Sequence, residues 1–307
     1  MTFSAQRYRQ ITIVALVALS VIIVTGAAVR LTGSGLGCDD WPNCSSERLI
    51  DVSSKHAAIE QINRLFTGVV GFAVIAAVLG AYRRPPRRTD LVVLAWLLVL
   101  GVVANAVLGG ISVLVDLHPI AVQGHMLLSM GLIVAGTVLV RRAGEPDGVP
   151  REVVVSRPTQ RLVWLHFALT CAAVFTGTIV TGSGPHAGDE DVERLGFDIA
   201  AVARVHAVSV LTTIAVTLLI VWRIRSLTRD RAALVPVLSS WMFVGVLQAV
   251  LGYVQYLNDV PALLVGIHVA GATAVMITST VVVLDTTRPV TSDGAEPATM
   301  DDAVSVV

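Results

Sequence analysis

Apolar residues fall along this chain in eight long runs separated by polar and charged segments. The runs are Ile11 to Val29, Ile59 to Tyr82, Leu91 to Val115, Pro119 to Val140, Leu162 to Gly182, Ile199 to Trp222, Leu234 to Leu257 and Pro261 to Leu284. Each has about the 20 residues that a helix needs to cross a hydrocarbon core of roughly 30 Å. The first follows Arg7 and Arg9, as a signal peptide would, but it is too long and lacks a small-residue cleavage pattern, so it is read as a retained helix. The pattern predicts an all-α integral membrane protein with eight transmembrane helices.

Composition strengthens this picture. Of 307 residues, 54% are hydrophobic and 14% charged, and the mean hydropathy of +0.76 lies outside the range of ordinary soluble domains. Formal net charge is +0, with 22 Lys+Arg against 22 Asp+Glu, so no global basic field favours nucleic acid as a partner. The distribution of charge says more. Sixteen of the 22 cations, among them Arg7, Arg83, Arg141, Arg161, Arg223 and Arg288, fall on one side of the predicted helices, while most acidic residues, including Asp39, Asp40, Asp116, Asp189 and Glu190, fall on the other. By the positive-inside rule both termini are cytoplasmic, in a multi-pass protein of the cell (plasma) membrane.

The chain also reads as two similar halves. The first helix leaves through RLTGSGLGC (Arg30 to Cys38) and the fifth through TGSGPHAGD (Thr181 to Asp189). Asn105 and Gly109 in the third helix answer Gln248 and Gly252 in the seventh, and Gly109 to His125 spans the same 16 residues as Gly252 to His268. Four helices per half is an even number, so the halves share one orientation and form two pseudo-symmetric four-helix bundles about an axis along the membrane normal. The domains are 1–142, a cytoplasmic linker 143–160 with Pro146, Pro150 and Pro158, a second half 161–286, and a polar, disordered tail 287–307.

Ionisable groups inside a bilayer are costly, and here they form a pattern. His125, His206 and His268 each lie six or seven residues inside the fourth, sixth and eighth helices, at a common depth of roughly 10 Å from the outer ends. Imidazoles from facing bundle helices suit axial ligation of haem iron, and His206 with His268 make the best pair. The bland alternative for any one of them is a satisfied polar core residue. In the second helix, aligning Ile62 to Leu65 with Val205 to Val208 puts Asn63 where a fourth ligand would stand, and amides ligate iron poorly. The first half thus pairs His125 with a weak or open position, as iron that binds a substrate requires.

Glu60, one turn before Asn63, is either a helix N-terminal charge or a proton acceptor or cation stabiliser beside the haem. Arg64 and Arg204 are placed for haem propionates or, equally, as snorkelling interfacial arginines. Cys38 and Cys44 share the first external loop and are predicted to form a disulfide, either a structural staple or a redox pair, whereas Cys171 is a small packing residue. His56, His118 and His186 lie at external loops as ordinary polar residues; the first two are also candidates for the missing ligand, and His186 for covering the second haem. His166 has no evident partner.

These residues resemble the haem A synthase family over nearly the whole chain. The likeness is carried by CDDWPNC (Cys38 to Cys44), the Glu60 to Arg64 segment, TGSGPHAGD, and the histidines of the fourth, sixth and eighth helices. It implies a membrane oxidoreductase that converts the C8 methyl of haem O to a formyl group, giving haem A for cytochrome oxidase. By this likeness His206 and His268 hold a haem b cofactor, His125 faces the substrate haem, Glu60 is the key acidic residue and the cysteine pair shapes the entry loop. Implied partners are haem O, the haem O synthase that supplies it, membrane lipid, and a quinone or other electron acceptor; a homo-oligomer is compatible. Asn63 departs from the family, which often has histidine there. The residues alone support a two-haem membrane redox protein without selecting methyl oxidation. The rivals are a quinol-linked membrane cytochrome b, whose histidine pairs would be balanced, and a transporter of parallel repeats, which would show midplane charges.

Overall fold

Every apolar run is helical in the computed structural model, which describes residues 2–290. The helices are α1 (Ala5–Leu31), α2 (Lys55–Arg83), α3 (Thr89–Leu114), α4 (Pro119–Ala143), α5 (Arg157–Ser183), α6 (Ile199–Ile224), α7 (Thr228–Leu257) and α8 (Ala262–Leu284). All eight are long and apolar enough to cross a membrane. Several run past the apolar stretch because a polar side chain caps their first turn. Ser4 Oγ accepts the Arg7 N–H at 3.3 Å at the head of α1, and Ser54 Oγ accepts the Ala57 N–H at 3.1 Å at the head of α2. Large apolar side chains such as Phe72, Phe243 and Leu263 face outward, which in water would be a liability and in lipid is the favourable arrangement.

Packing follows chain order. α1 and α3 both pack on α2 and α4, while α5 and α7 both pack on α6 and α8; α8 also meets α1 and α4, and α4 meets α5. One buried cluster runs through Tyr8, Val74, Leu98 and Ile133, and another through Ile220, Leu234, Leu238 and Trp241.

The turns α3–α4 and α7–α8 are built alike. Asp116 and Leu117 in one, and Asp259 and Val260 in the other, take left-handed backbone conformations with φ between 51° and 58°. In each, an N–H reaches back five residues to close the helix end: Leu117 N–H to the Ser112 carbonyl at 2.7 Å, and Val260 N–H to the Gln255 carbonyl at 2.8 Å. This is the Schellman pattern, which satisfies helix-terminal carbonyls at the cost of a left-handed residue. A proline at or just before the next helix start then pre-sets the reversal.

At the opposite end the sequence expectation needs correcting. The linker and the start of the tail are paired, with β1 (Arg151–Val153) antiparallel to β2 (Thr287–Pro289). Pairing satisfies backbone groups that neither segment satisfies alone, and Arg151 adds bonds to the Leu284 and Thr287 carbonyls. The remainder of the expected tail, 291–307, lies outside the described residues.

A β-branched residue held at φ 57° stores strain. Val260→Gly is therefore expected to raise stability by about 1 kcal/mol, measured as a higher thermal midpoint in detergent; a lower midpoint would show that the Val260 side chain contributes more by packing than it costs in strain.

Candidate functional site

Each of the three membrane-embedded histidines rests against a glycine of the preceding helix. A Cβ at Gly109 of α3 would come within 2.9 Å of the His125 ring, one at Gly177 of α5 within 3.2 Å of His206, and one at Gly252 of α7 within 3.3 Å of His268. The odd-numbered helices thus lack a side chain where the imidazole stands, and any larger residue would displace the ring. Asn63 on α2 stands in the corresponding place beside Gly26 of α1, more loosely, since a Cβ there would lie 4.0 Å from its amide.

Hydrogen bonds aim these side chains. His125 Nδ1 lies 3.0 Å from the Asn105 carbonyl, which can only accept, so Nδ1 carries the proton and Nε2 keeps its lone pair. His206 Nδ1 meets Thr176 Oγ1 at 3.2 Å, and the same hydroxyl contacts the Ala172 and Ala173 carbonyls and Ser209 Oγ. Thr25 Oγ1 donates to Asn63 Oδ1 at 2.8 Å, so a Thr-Gly pair positions both Asn63 and His206 from the neighbouring helix. His268 is fixed through its backbone, whose carbonyl accepts from Gln248 Nε2 at 2.6 Å, while its buried Nδ1 has no partner. The His206 and His268 rings face each other with centres 6.4 Å apart and planes 77° apart.

Residues 9–280 match the family model described as cytochrome oxidase assembly protein, COX15-CtaA. The chain belongs to this family. It is similar to proteins named Heme A synthase from Halalkalibacterium halodurans, at 24% identity over 81% of this chain and 85% of that protein, and from Shouchella clausii, at 24% over 70% and 75%. A third, from Shewanella oneidensis, is 29% identical over 55% of this chain and 54% of its own length.

In this member of the cytochrome oxidase assembly family the loop after α1 is closed by a Cys38–Cys44 disulfide and clamped to α2. Glu60 is buried. One carboxylate oxygen accepts the Cys38 N–H at 2.8 Å and the other accepts Arg64 Nε and Nη2 at 3.0 and 2.7 Å. Arg64 Nη1 donates to the Asp40 and Asn43 carbonyls at 3.0 and 2.9 Å, on either side of Trp41 and Pro42. Trp41 lies on α3 at Gly110, where a Cβ would meet the indole at 2.3 Å. The loop is thus strapped from the head of α2 to α3, beside the Gly109 contact with His125. Where the sequence offers Arg64 to a haem propionate, the structure commits four of its five N–H donors, two to Glu60 and two to this loop. Arg204 is exposed and, two residues from His206, points to the other side of α6, the placement of an interfacial snorkelling arginine.

The other histidines lie beside groups of the chain. His56 Nδ1 meets Ser34 Oγ at 2.9 Å, His118 lies 3.7 Å from Glu193, and His186 Nε2 donates to the Val260 carbonyl at 2.8 Å. His166, fully buried, is held by Thr217 and Ser279 against Trp241, which gives it the structural partners that the sequence left unnamed. Thr25 and Thr176 were not singled out from sequence, although the Thr-Gly dipeptide recurs in α1 and α5 as a visible sign.

Replacing Arg64 by Ala strands a buried carboxylate and two loop carbonyls, a loss of about 2 kcal/mol. Glu60→Gln keeps an acceptor for Cys38 and is expected to lose less. Thermal unfolding together with protease susceptibility of the 38–44 loop tests this; equal effects from the two variants would contradict the clamp.

Proposed function

We propose that this chain is a haem A synthase, oxidising the C8 methyl of haem O to a formyl group to give haem A for cytochrome oxidase. Family membership supports the assignment, and the observation that carries the chemistry is the facing pair His206 and His268. The ring centres of His206 and His268 stand 6.4 Å apart, and the two imidazoles, on α6 and α8, would hold the iron of a haem b between them. No hydrogen bond engages either Nε2 among the described residues, and no three His, Cys, Asp or Glu side chains gather there as a bare-metal site would need. A porphyrin, which brings four ligands of its own, suits this donor set. When bound, haem b supplies a one-electron relay toward an external acceptor such as a quinone.

The two sets of helices that pack within themselves, α1–α4 and α5–α8, are then the two bundles, with 1–142 the substrate half and 161–286 the cofactor half. The arginine-rich end, with both termini, faces the cytoplasm, and the disulfide loop lies at the outer face of the cell membrane.

In the substrate half, His125 presents a deprotonated Nε2 while Asn63, held by Thr25, offers only an amide, so a substrate porphyrin keeps one face open. Turning a methyl into a formyl group, R–CH3 + H2O → R–CHO + 4 H+ + 4 e−, replaces two C–H bonds by C=O with an oxygen atom from water and passes four electrons to the external acceptor. The chain's own part is to orient the methyl, exclude bulk water and handle protons. The loop strapped over α2 and α3 does the excluding. Glu60 is a positioning residue in this account, since its carboxylate anchors the loop through Cys38 and Arg64.

The test is extraction and chromatography of haems after expression with and without a haem O supply. The wild-type chain is expected to convert haem O to haem A. Glu60→Ala is expected to keep the haem held by His206 and His268 and to accumulate unconverted haem O. Normal haem A from Glu60→Ala would eliminate its role, and no haem A from the wild type in a host supplied with haem O and oxygen would overturn the function.

A further inference from the structure

Arg30 lies in the last turn of α1 four residues beyond Gly26, yet its guanidinium reaches across to α5 and the loop that follows it. Nε donates to the His186 carbonyl and Nη2 to the Thr181 carbonyl at 2.8 Å. Thr181 stands four residues beyond Gly177, the glycine that faces His206. The guanidinium therefore sits about one helical turn, roughly 6 Å, nearer the loop end than the ligand level.

Its charge has no counterpart. Both acceptors are neutral backbone oxygens, and two of five N–H donors are used, leaving three. The charged group that acts on Arg30 is a second cation, Arg194, which itself rests on the Val192 and Pro185 carbonyls. Neither arginine forms a salt bridge among the described residues. Two neighbouring cations at the end of a membrane bundle, partly withdrawn from water and without an anion, are costly unless a ligand brings the negative charge. Arg64 and Arg204, the arginines that the sequence offers for such a ligand, are respectively committed to the loop and turned away.

We propose that Arg30, assisted by Arg194, is the carboxylate-binding rim of the His206–His268 site and receives the acidic side chains of the porphyrin held there. A first-half residue would thus complete the second-half site. The inference rests on the haem assignment above. Porphyrin carboxylates project from one edge of the ring, and a cation one turn above the axial ligands is where that edge meets the loops; bidentate pairing with a guanidinium suits it.

The test titrates the full-length chain, purified from a haem-deficient host, with iron protoporphyrin IX and with its dimethyl ester, which keeps the iron and removes the charges. The wild type is expected to prefer the free acid by about tenfold or more. Arg30→Gln is expected to bring that ratio close to one while the low-spin spectrum still forms at saturation, and Arg30→Lys to keep part of it. Arg194→Gln, whose bonds lie within its own loop, is expected to lower the ratio too, and serves if Arg30→Gln fails to fold. A wild-type ratio retained in both Gln variants overturns the proposal, as does an equal loss of affinity for acid and ester, which would mark Arg30 as a strap. Phospholipid released by Arg30→Gln in native mass spectrometry, with the ratio unchanged, would assign the site to a lipid phosphate and also overturn it. If neither porphyrin gives a low-spin spectrum in the wild type, the haem assignment itself fails.

Discussion

An imidazole in the interior of a helix bundle must be both admitted and aimed, and here the same neighbouring helix does both. A glycine on α3, α5 and α7 leaves the space in which the ring of the next helix stands. For His125 a carbonyl of that helix also takes the Nδ1 proton, so that Nε2 is left as the lone-pair nitrogen, and for His206 a threonine hydroxyl of that helix meets Nδ1. Backbone geometry therefore fixes the proton of His125 and leaves room for all three rings before any ligand arrives, a preorganisation that suits metal binding. The first pair of helices repeats the arrangement with Gly26, Thr25 and Asn63, an amide where the other pairs carry an imidazole.

Above this layer the loops lock the site at its open end. Glu60 and Arg64 bind the disulfide loop to α2, Trp41 seats it on α3, and His186 ties the loop after α5 to the turn before α8. The strained left-handed turns at Leu117 and Val260 belong to the same layer. Backbone strain gathered beside a ligand site is a recurrent sign of a segment whose position matters more than its local stability.

Much of this is legible in sequence because the bilayer makes it so. Eight apolar runs of the right length leave little freedom in assigning helices, and the equal Gly109–His125 and Gly252–His268 spacings show the repeat that the turns and ring contacts then embody. What the sequence conceals are choices among chemically equivalent partners. Arg64 is as suited to a propionate as to the Asp40 and Asn43 carbonyls, and only the path of the loop decides. Arg30 belongs by position to the first half and by contact to the second, which no local pattern reveals. The strand pairing of Arg151–Val153 with Thr287–Pro289 joins segments too short and too polar to carry a strand signal.

The central claim is that His206 and His268 share one iron. Electron paramagnetic resonance of the purified ferric protein tests it most directly, because the spectrum of a bis-imidazole haem depends on the angle between the ring planes. With planes 77° apart, a highly anisotropic low-spin signal is predicted, lost in both His206→Ala and His268→Ala. A signal that survives either substitution, or the rhombic low-spin signal of parallel rings, would contradict the account.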